Sequence, residues 1–395
     1  MNELAGYPEG YKNSLALCLD HIKKCGFTLN AGRLPCHTLL RFIFNSVCLF
    51  LHFASMIAFI VRMVSENQNI FQKADLIPIC LVIVQGKEIF SLHLTIHIIL
   101  LLMDRIGAYW RIADLTPKQL QKKKSTKLMF GQKLLNKMTM LTAWQYFLLP
   151  LMETLFRRLV LKQQSELLLP FSAVYPFGVA NWVNYLAAYF FQVYCMMLTV
   201  FMYMGPDMLL VTLCTHISNE FVLLQEDLCR IKPPTRKAVN ERNYAFVEHG
   251  LRDFVKRHQS VILLTHQLNS AFNKLIFINL LFAGLIICFF ALAAKASAGA
   301  AYMANNLAAV IVVLFNMIIF CYCSENLSIS SSGIADCAFN TLWYNADKSY
   351  KIMIFFIIMR YYFSHNIGSL PMKLVFFFSL SILSVTIKIQ SIPKK

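Results

Sequence analysis

Apolar residues in this chain come in long blocks divided by short polar segments, and in two of the blocks they settle into a spacing of three and four. A bilayer core takes about 20 apolar residues as a helix. By that measure spans are expected at 38–61, 74–103, 128–151 (ending near Pro150), from Asn181 onward, at 274–294 and at 302–323. A seventh span is broken: 352–363 is apolar, a turn follows at Ser364, His365, Asn366, Gly368 and Pro371, and 374–389 is apolar again.

The fourth block is too long for a membrane. From 181 to 228 the one strong breaker is Gly205-Pro206, and a helix of that length runs roughly 70 Å against a hydrocarbon core of about 30 Å. Its second half carries an apolar stripe, Leu210, Leu213, Ile217, Phe221, Leu224 and Leu228, with Glu220, Glu226 and Asp227 off it. The fifth helix begins the same way, with Tyr244, Val247, Leu251, Phe254, His258, Val261, Thr265 and Leu268 at alternating threes and fours. Both stripes need partners, and the segment 331–360 supplies one. The expectation is an all-α, seven-transmembrane-helix protein whose helices 4–7 extend into a cytoplasmic anchor bundle, with a split seventh helix. Its divisions are a tail at 1–37, helices 1–6 over 38–323 with cytoplasmic extensions at about 207–273, an anchor segment at 324–360, and a turn and last helix at 361–395.

Composition agrees. The chain is 57% hydrophobic and 14% charged, where a soluble domain carries about 25% charged residues. The net charge of +17 reads as basic loops beside anionic lipid rather than a nucleic-acid surface, because the basic residues concentrate after spans two and four. Cytoplasmic loops are the basic ones, so the N-terminus is expected inside and the C-terminus outside. Segment 1–37 is polar and reads as a tail without a cleavable signal. A G-protein-coupled receptor has the opposite orientation, and the outward loops 62–75, 151–180 and 295–301 hold no cysteine for its extracellular disulfide.

Enzyme signatures such as GxSxG, HExxH, a P-loop or GxGxxG are absent, so neither catalysis nor a cofactor is expected. No metal site is expected either. His93 and His97 have the spacing of two ligands on one helical face but no third nearby, and with Lys87 and Glu88 they fit inward helix-to-helix pairing or a polar lining. Trp144, Tyr146 and Phe147 near the outer end of span three, Tyr185, Tyr189 and Gln192 on span four, and Tyr302 and Asn305 on span six suit a small, mostly apolar ligand. Interfacial belts are built of the same residue types. Tyr185, Tyr189 and Gln192 share a partial stripe and are the best inward candidates. On the last helix Ser379, Ser381, Ser384 and Thr386 either wet a conduit or bond back to their own carbonyls.

The run WYNADKSYKI at 343–352, with the apolar stretch ending at Arg360, resembles the C-terminal signature of insect odorant receptors. Leu169-Pro170 and Tyr175-Pro176-Phe177, followed by Tyr185, Tyr189 and Gln192, are similar to a second pattern of that family. The resemblance implies a multi-pass plasma-membrane protein of the olfactory neuron dendrite. It implies a subunit of a ligand-gated, non-selective cation channel, a tetramer formed with a co-receptor and opened by a volatile without a G protein. It makes Trp343, Tyr344, Lys348 and Tyr350 subunit-anchor residues, Ser379, Ser381, Ser384 and Thr386 pore residues, and the aromatics named above odorant contacts. The missing long second cytoplasmic loop favours a tuned subunit over the co-receptor.

After Arg360 the chain departs from the family's S-Q-K-P continuation and reads YYFSHNIGSLPMK, which is either an altered splice or frame, or divergence. Two other functions remain. A gustatory-receptor-type homotetrameric channel would end in a T-Y-x5-Q-F pattern, which is absent. A transporter relaying ions through Lys87, Glu88, His93 and His97 would show inverted repeats, and none is visible.

Overall fold

The structure, a computed structural model, describes residues 7–27, 36–66, 76–86, 96–114, 119–162, 167–231, 241–296 and 299–368. Among the described residues the regular structure is helical, without a strand, and comprises the nine α-helices named next together with two short turns. Nine α-helices follow in order: α1 Glu9–Lys24, α2 Cys36–Ser65, α3 Leu76–Gly86, α4 Ile96–Asp114, α5 Gln119–Leu155, α6 Trp182–Arg230, α7 Glu241–Ala296, α8 Ala300–Asn340 and α9 Lys348–Gly368. A π-helical turn, Phe156–Val160, ends α5, and a 3-10 turn, Trp343–Asn345, precedes α9. Among the described residues, α2, α6, α8 and the part of α7 from His249 are long and apolar enough to cross a membrane.

α6 is the axis of the molecule. Its 49 residues run unbroken, about 73 Å at the α-helical rise. Pro206 forfeits one backbone bond without ending the helix. From Leu198 to Leu224 nearly every side chain is buried, because α1, α2, α3, α4, α5, α7 and α8 all pack on it. Its apolar stripe from Leu210 to Leu228 is buried throughout. Glu220, off that stripe, is buried too, paired with Arg257 of α7. On α7, Leu251, Phe254, His258, Val261 and Leu268 form the buried face. The long helices turn a second face outward, as on α2, where Asn45, Cys48, His52 and Met56 are buried while Leu40, Phe44, Val47 and Leu51 are exposed. Such exposed apolar stripes are surfaces for lipid.

α6 is also tied by polar groups. Asp207 accepts hydrogen bonds from Asn279 of α7 (2.6 Å) and Asn316 of α8 (2.9 Å), and Gln85 of α3 donates to Asn279. Four helices thus meet at one buried carboxylate. Farther along, Ser218 reaches Ser330 (2.8 Å) and the backbone of Asn326 on α8.

Four boundaries differ from the sequence reading. Segment 1–37, read as a tail, contains α1. Tyr11, Leu15, Cys18 and Ile22 recur at spacings of four, three and four and are buried. Tyr11 donates to the Met103 carbonyl (2.8 Å), Ser14 sits 2.9 Å from the His216 imidazole, and His21 meets Asn136 at 2.9 Å. The middle of α6 seats this helix at Gly205, where a Cβ would lie 3.0 Å from Ile22. Within the block 74–103 the described residues belong to α3 and α4, and α4 continues past 103 to Asp114. α5 starts before 128 and runs through Pro150. α9 continues past Phe363 to Gly368, through residues read as a turn. Lys87, Glu88, His93, the last helix at 374–389 and the hydroxyls of Ser379, Ser381, Ser384 and Thr386 lie outside the described residues.

Candidate functional site

The N-terminal end of α6 gathers the aromatic and polar groups singled out in the sequence, and the segment 167–181 folds across it. Gln192 organises this end. It is fully buried, and its amide meets the Phe171 backbone at both ends: Oε1 accepts from the Phe171 N–H (3.0 Å) and Nε2 donates to the Phe171 carbonyl (2.8 Å). Nε2 also donates to the Tyr175 hydroxyl (2.9 Å). One turn away, Tyr189 donates to the Phe147 carbonyl on α5 (2.9 Å). Tyr185 donates to the Leu168 carbonyl (3.0 Å). All three side chains are buried on one stripe, and their donors fix backbone. A loop crossing an apolar bundle carries backbone groups that must find partners, and this stripe provides them. Burial raises the Tyr175 phenol above its ordinary range, with the Gln192 bond opposing the shift.

Phe171 is delivered by that clamp into the bundle, where it is 1% exposed. Tyr146 of α5 stacks on it (ring centroids 6.2 Å), and His52 of α2 meets it edge-on (6.2 Å). Tyr146 donates to Asn306 of α8 (2.7 Å) and lies 6.3 Å from the Phe290 ring of α7. Side chains of α2 and α5 therefore flank one phenylalanine ring, α6 holds its backbone, and α7 and α8 join the cluster through Tyr146. Phe147 is buried, while Trp144 is half exposed and touches Phe147 edge-on. Tyr302 donates to Glu153, which is also paired with Arg157. Asn305 is buried, and its Oδ1 has no partner.

Two participants were not singled out in the sequence. Phe171 directly follows the Leu169-Pro170 pair, but nothing in a loop phenylalanine announces that it turns inward. His52 is one polar residue inside the apolar span 38–61, and it is fully buried with both ring nitrogens unpaired. An ionisable residue inside a membrane helix is itself a signal of this kind.

Of the anchor candidates, Tyr350 is buried, Trp343 half-buried, and Tyr344 and Lys348 exposed. Phe339, Leu342 and Phe356 are exposed near them, so this end presents an apolar surface. Among the described residues no group of three or more His, Cys, Asp or Glu side chains is placed to hold a metal. His97 is exposed.

The sequence profile of the 7tm odorant receptor family matches residues 89–385. Odorant receptor 22c of Drosophila melanogaster is 26% identical over 220 residues, 54% of each chain. Odorant receptor 10a of the same fly is 23% identical over 198 residues, 48% of each. These matches span about half the length of the curated relatives. The fold is similar to the insect olfactory receptor OR5 from Machilis hrabei, with a TM-score of 0.74 at 12% identity, over 96% of this chain and 97% of that one. The same receptor in complex with eugenol matches with a TM-score of 0.69 at 11% identity.

Proposed function

The chain belongs to the 7tm odorant receptor family of insects, a family of membrane receptors rather than enzymes, and from that premise we propose that it is an odorant-tuned subunit of a ligand-gated, non-selective cation channel. It assembles as a heterotetramer with a co-receptor in the plasma membrane of the sensory dendrite. Seven helices cross the bilayer with the N-terminus inside. The end of α6 near Gln192 then faces outward and receives the volatile, contacted by Trp144, Tyr146, Phe147, Tyr185, Tyr189, Gln192, Tyr302 and Asn305. The opposite end carries the anchor, with Trp343, Tyr344, Lys348 and Tyr350 at subunit contacts, and Ser379, Ser381, Ser384 and Thr386 line the pore.

The observation that carries this reading is the cluster around Phe171. Aromatic rings, two amide side chains and an imidazole from five helices converge in an apolar bundle without a formal charge among them, the chemistry of a site for a small neutral ligand. OR5 of Machilis hrabei, alike in fold, was solved with eugenol. A ligand opens such a channel by binding the open state more tightly than the closed one.

Whole-cell current with and without an insect co-receptor, across a panel of volatiles, tests the proposal. Current requiring both subunits and an odorant, and persisting when G proteins are blocked, is the expected result. Odorant current abolished by that block would overturn it, and current from this chain alone would replace the heterotetramer by a homotetramer.

A further inference from the structure

His52 sits at the midpoint of α2 with no solvent exposure. A neutral imidazole always carries one N–H donor and one lone-pair acceptor. Here neither nitrogen has a hydrogen-bond partner. Its nearest aromatic neighbours are Phe171 and Phe191, with ring centroids 6.2 and 6.1 Å away and edge-on, and they offer no lone pair. The local backbone makes no demand on the ring, since the His52 carbonyl accepts from Ser55 (2.7 Å) and the Ser55 carbonyl accepts from Val174 (3.1 Å).

A buried polar group left unpaired is costly, and apolar residues of similar shape avoid that cost. The rest of this α2 face shows how completely polar groups are matched elsewhere. Asn45 donates to the Cys25 carbonyl (3.0 Å) and accepts from Tyr194, and Cys48 gives its carbonyl to the Cys195 thiol. His52, one turn beyond Cys48, is the exception.

We propose that His52 is a hydrogen-bonding determinant for the ligand, selecting volatiles that carry an oxygen function, an alcohol or a carbonyl, over hydrocarbons of the same shape. The inference rests on the odorant-binding reading above. The ring N–H donates to the ligand oxygen, while the apolar remainder of the ligand lies against the aromatic rings around Phe171. The Gln192 clamp positions Phe171 beside His52, so ligand and loop share the same contact. An alcohol has a second mode, giving its hydroxyl proton to the bare ring nitrogen instead. No charge is involved, which suits a neutral volatile.

The test uses the full chain in lipid nanodiscs, with melting followed by a thiol-reactive dye, since the cysteines are free and most are buried. The probes are 1-hexanol, 2-hexanone and hexane. His52→Phe keeps ring volume and removes both nitrogens, and His52→Leu gives the same comparison if the phenyl ring does not fit. The unliganded variant should melt higher than the wild type, by about 1–2 °C or more, because an unpaired polar group has gone. The alcohol and the ketone should raise the melting temperature of the wild type above the hexane value, and the variant should lose that difference. Variants that melt below the wild type would overturn the proposal, for the ring would then be paired already, by a buried water. Equal responses of the wild type to hexane and to the oxygenated probes would overturn it too. Odorant current is recorded separately, so a silent channel with His52-dependent stabilisation counts against the channel reading and not against this one.

Discussion

Arg257 Nη2 lies 2.8 Å from Glu220 Oε2, and the Glu220 side chain is 1% exposed although it falls off the apolar stripe of its own helix. The same guanidinium reaches Asp227 at 3.2 Å and lies over the Tyr109 ring. One arginine of α7 thus holds two carboxylates of α6. Removing one partner of a buried pair leaves the other charge uncompensated, which costs about 3 kcal/mol. Arg257→Ala should lower the melting temperature of the purified protein markedly. Arg257→Lys should recover only part of the loss, since a point charge does not serve two carboxylates as a planar fork does. Replacing Arg257 and Glu220 together by leucine should cost less than either alanine substitution.

Gln192→Ala strips partners from the Phe171 N–H and carbonyl at once. Two buried backbone groups left unpaired cost about 2 kcal/mol or more. The expected outcome is local: amide exchange at Phe171 and Tyr175 should accelerate by at least tenfold while the Asp207 network keeps its protection. Equal acceleration across the protein would show that the clamp supports the whole bundle rather than this loop.

These two sites differ in how legible they were. The long α6 and α7 and their packing faces follow from spacing alone, because a stripe repeated over many turns leaves one geometry open. The buried Glu220 does not follow, since burial of a carboxylate depends on an arginine 37 residues away. Tyr185, Tyr189 and Gln192 were readable as a stripe, but their occupation with the backbone of residues 147, 168 and 171 was not. α1 escaped for another reason. Its pattern of Tyr11, Leu15, Cys18 and Ile22 is regular, yet Lys12, Asp20, Lys23 and Lys24 dilute it over only 16 residues, and propensity without tertiary partners decides little at that length. His52 carried a general signal as an ionisable residue in an apolar run, but one histidine there looks the same whether paired or not.

His21, near the end of α1, gives the pH dependence. Burial lowers its pKa below the ordinary 6.5, with nearby Lys24 adding to the effect, while the Asn136 bond and Asp20 oppose it. The folded protein therefore binds this proton less readily than the unfolded chain. Its contribution is absent above the ordinary histidine range. As pH falls through about 6.5 the unfolded state takes up the proton first and stability declines, levelling off once the folded-state pKa is passed. Melting curves from pH 7.5 to 5 for the wild type and His21→Gln should diverge in that window, the variant losing less.

Gly205→Val places a branched side chain where even a Cβ lies 3.0 Å from Ile22. Overpacking of this kind costs about 1–3 kcal/mol, and the easiest relief is for α1 to lift away. Cys18 is 1% exposed on that helix, so its alkylation should speed up roughly tenfold or more, read by mass spectrometry of the tryptic peptide. Unchanged alkylation would mean that α6 yields instead.

α1 leaves the ribosome before the helices it packs on, and its seat is made of Met103, Trp110, Asn136, Gly205 and His216. More than half of the chain must be synthesised before the last of these exists. Until then a helix with one apolar face waits undocked while the helices that will seat it are made. The docking of α1 is therefore a natural checkpoint of biogenesis: a nascent receptor in which α1 has found its place has, by that fact, already brought together the parts of α4, α5 and α6 that form its seat.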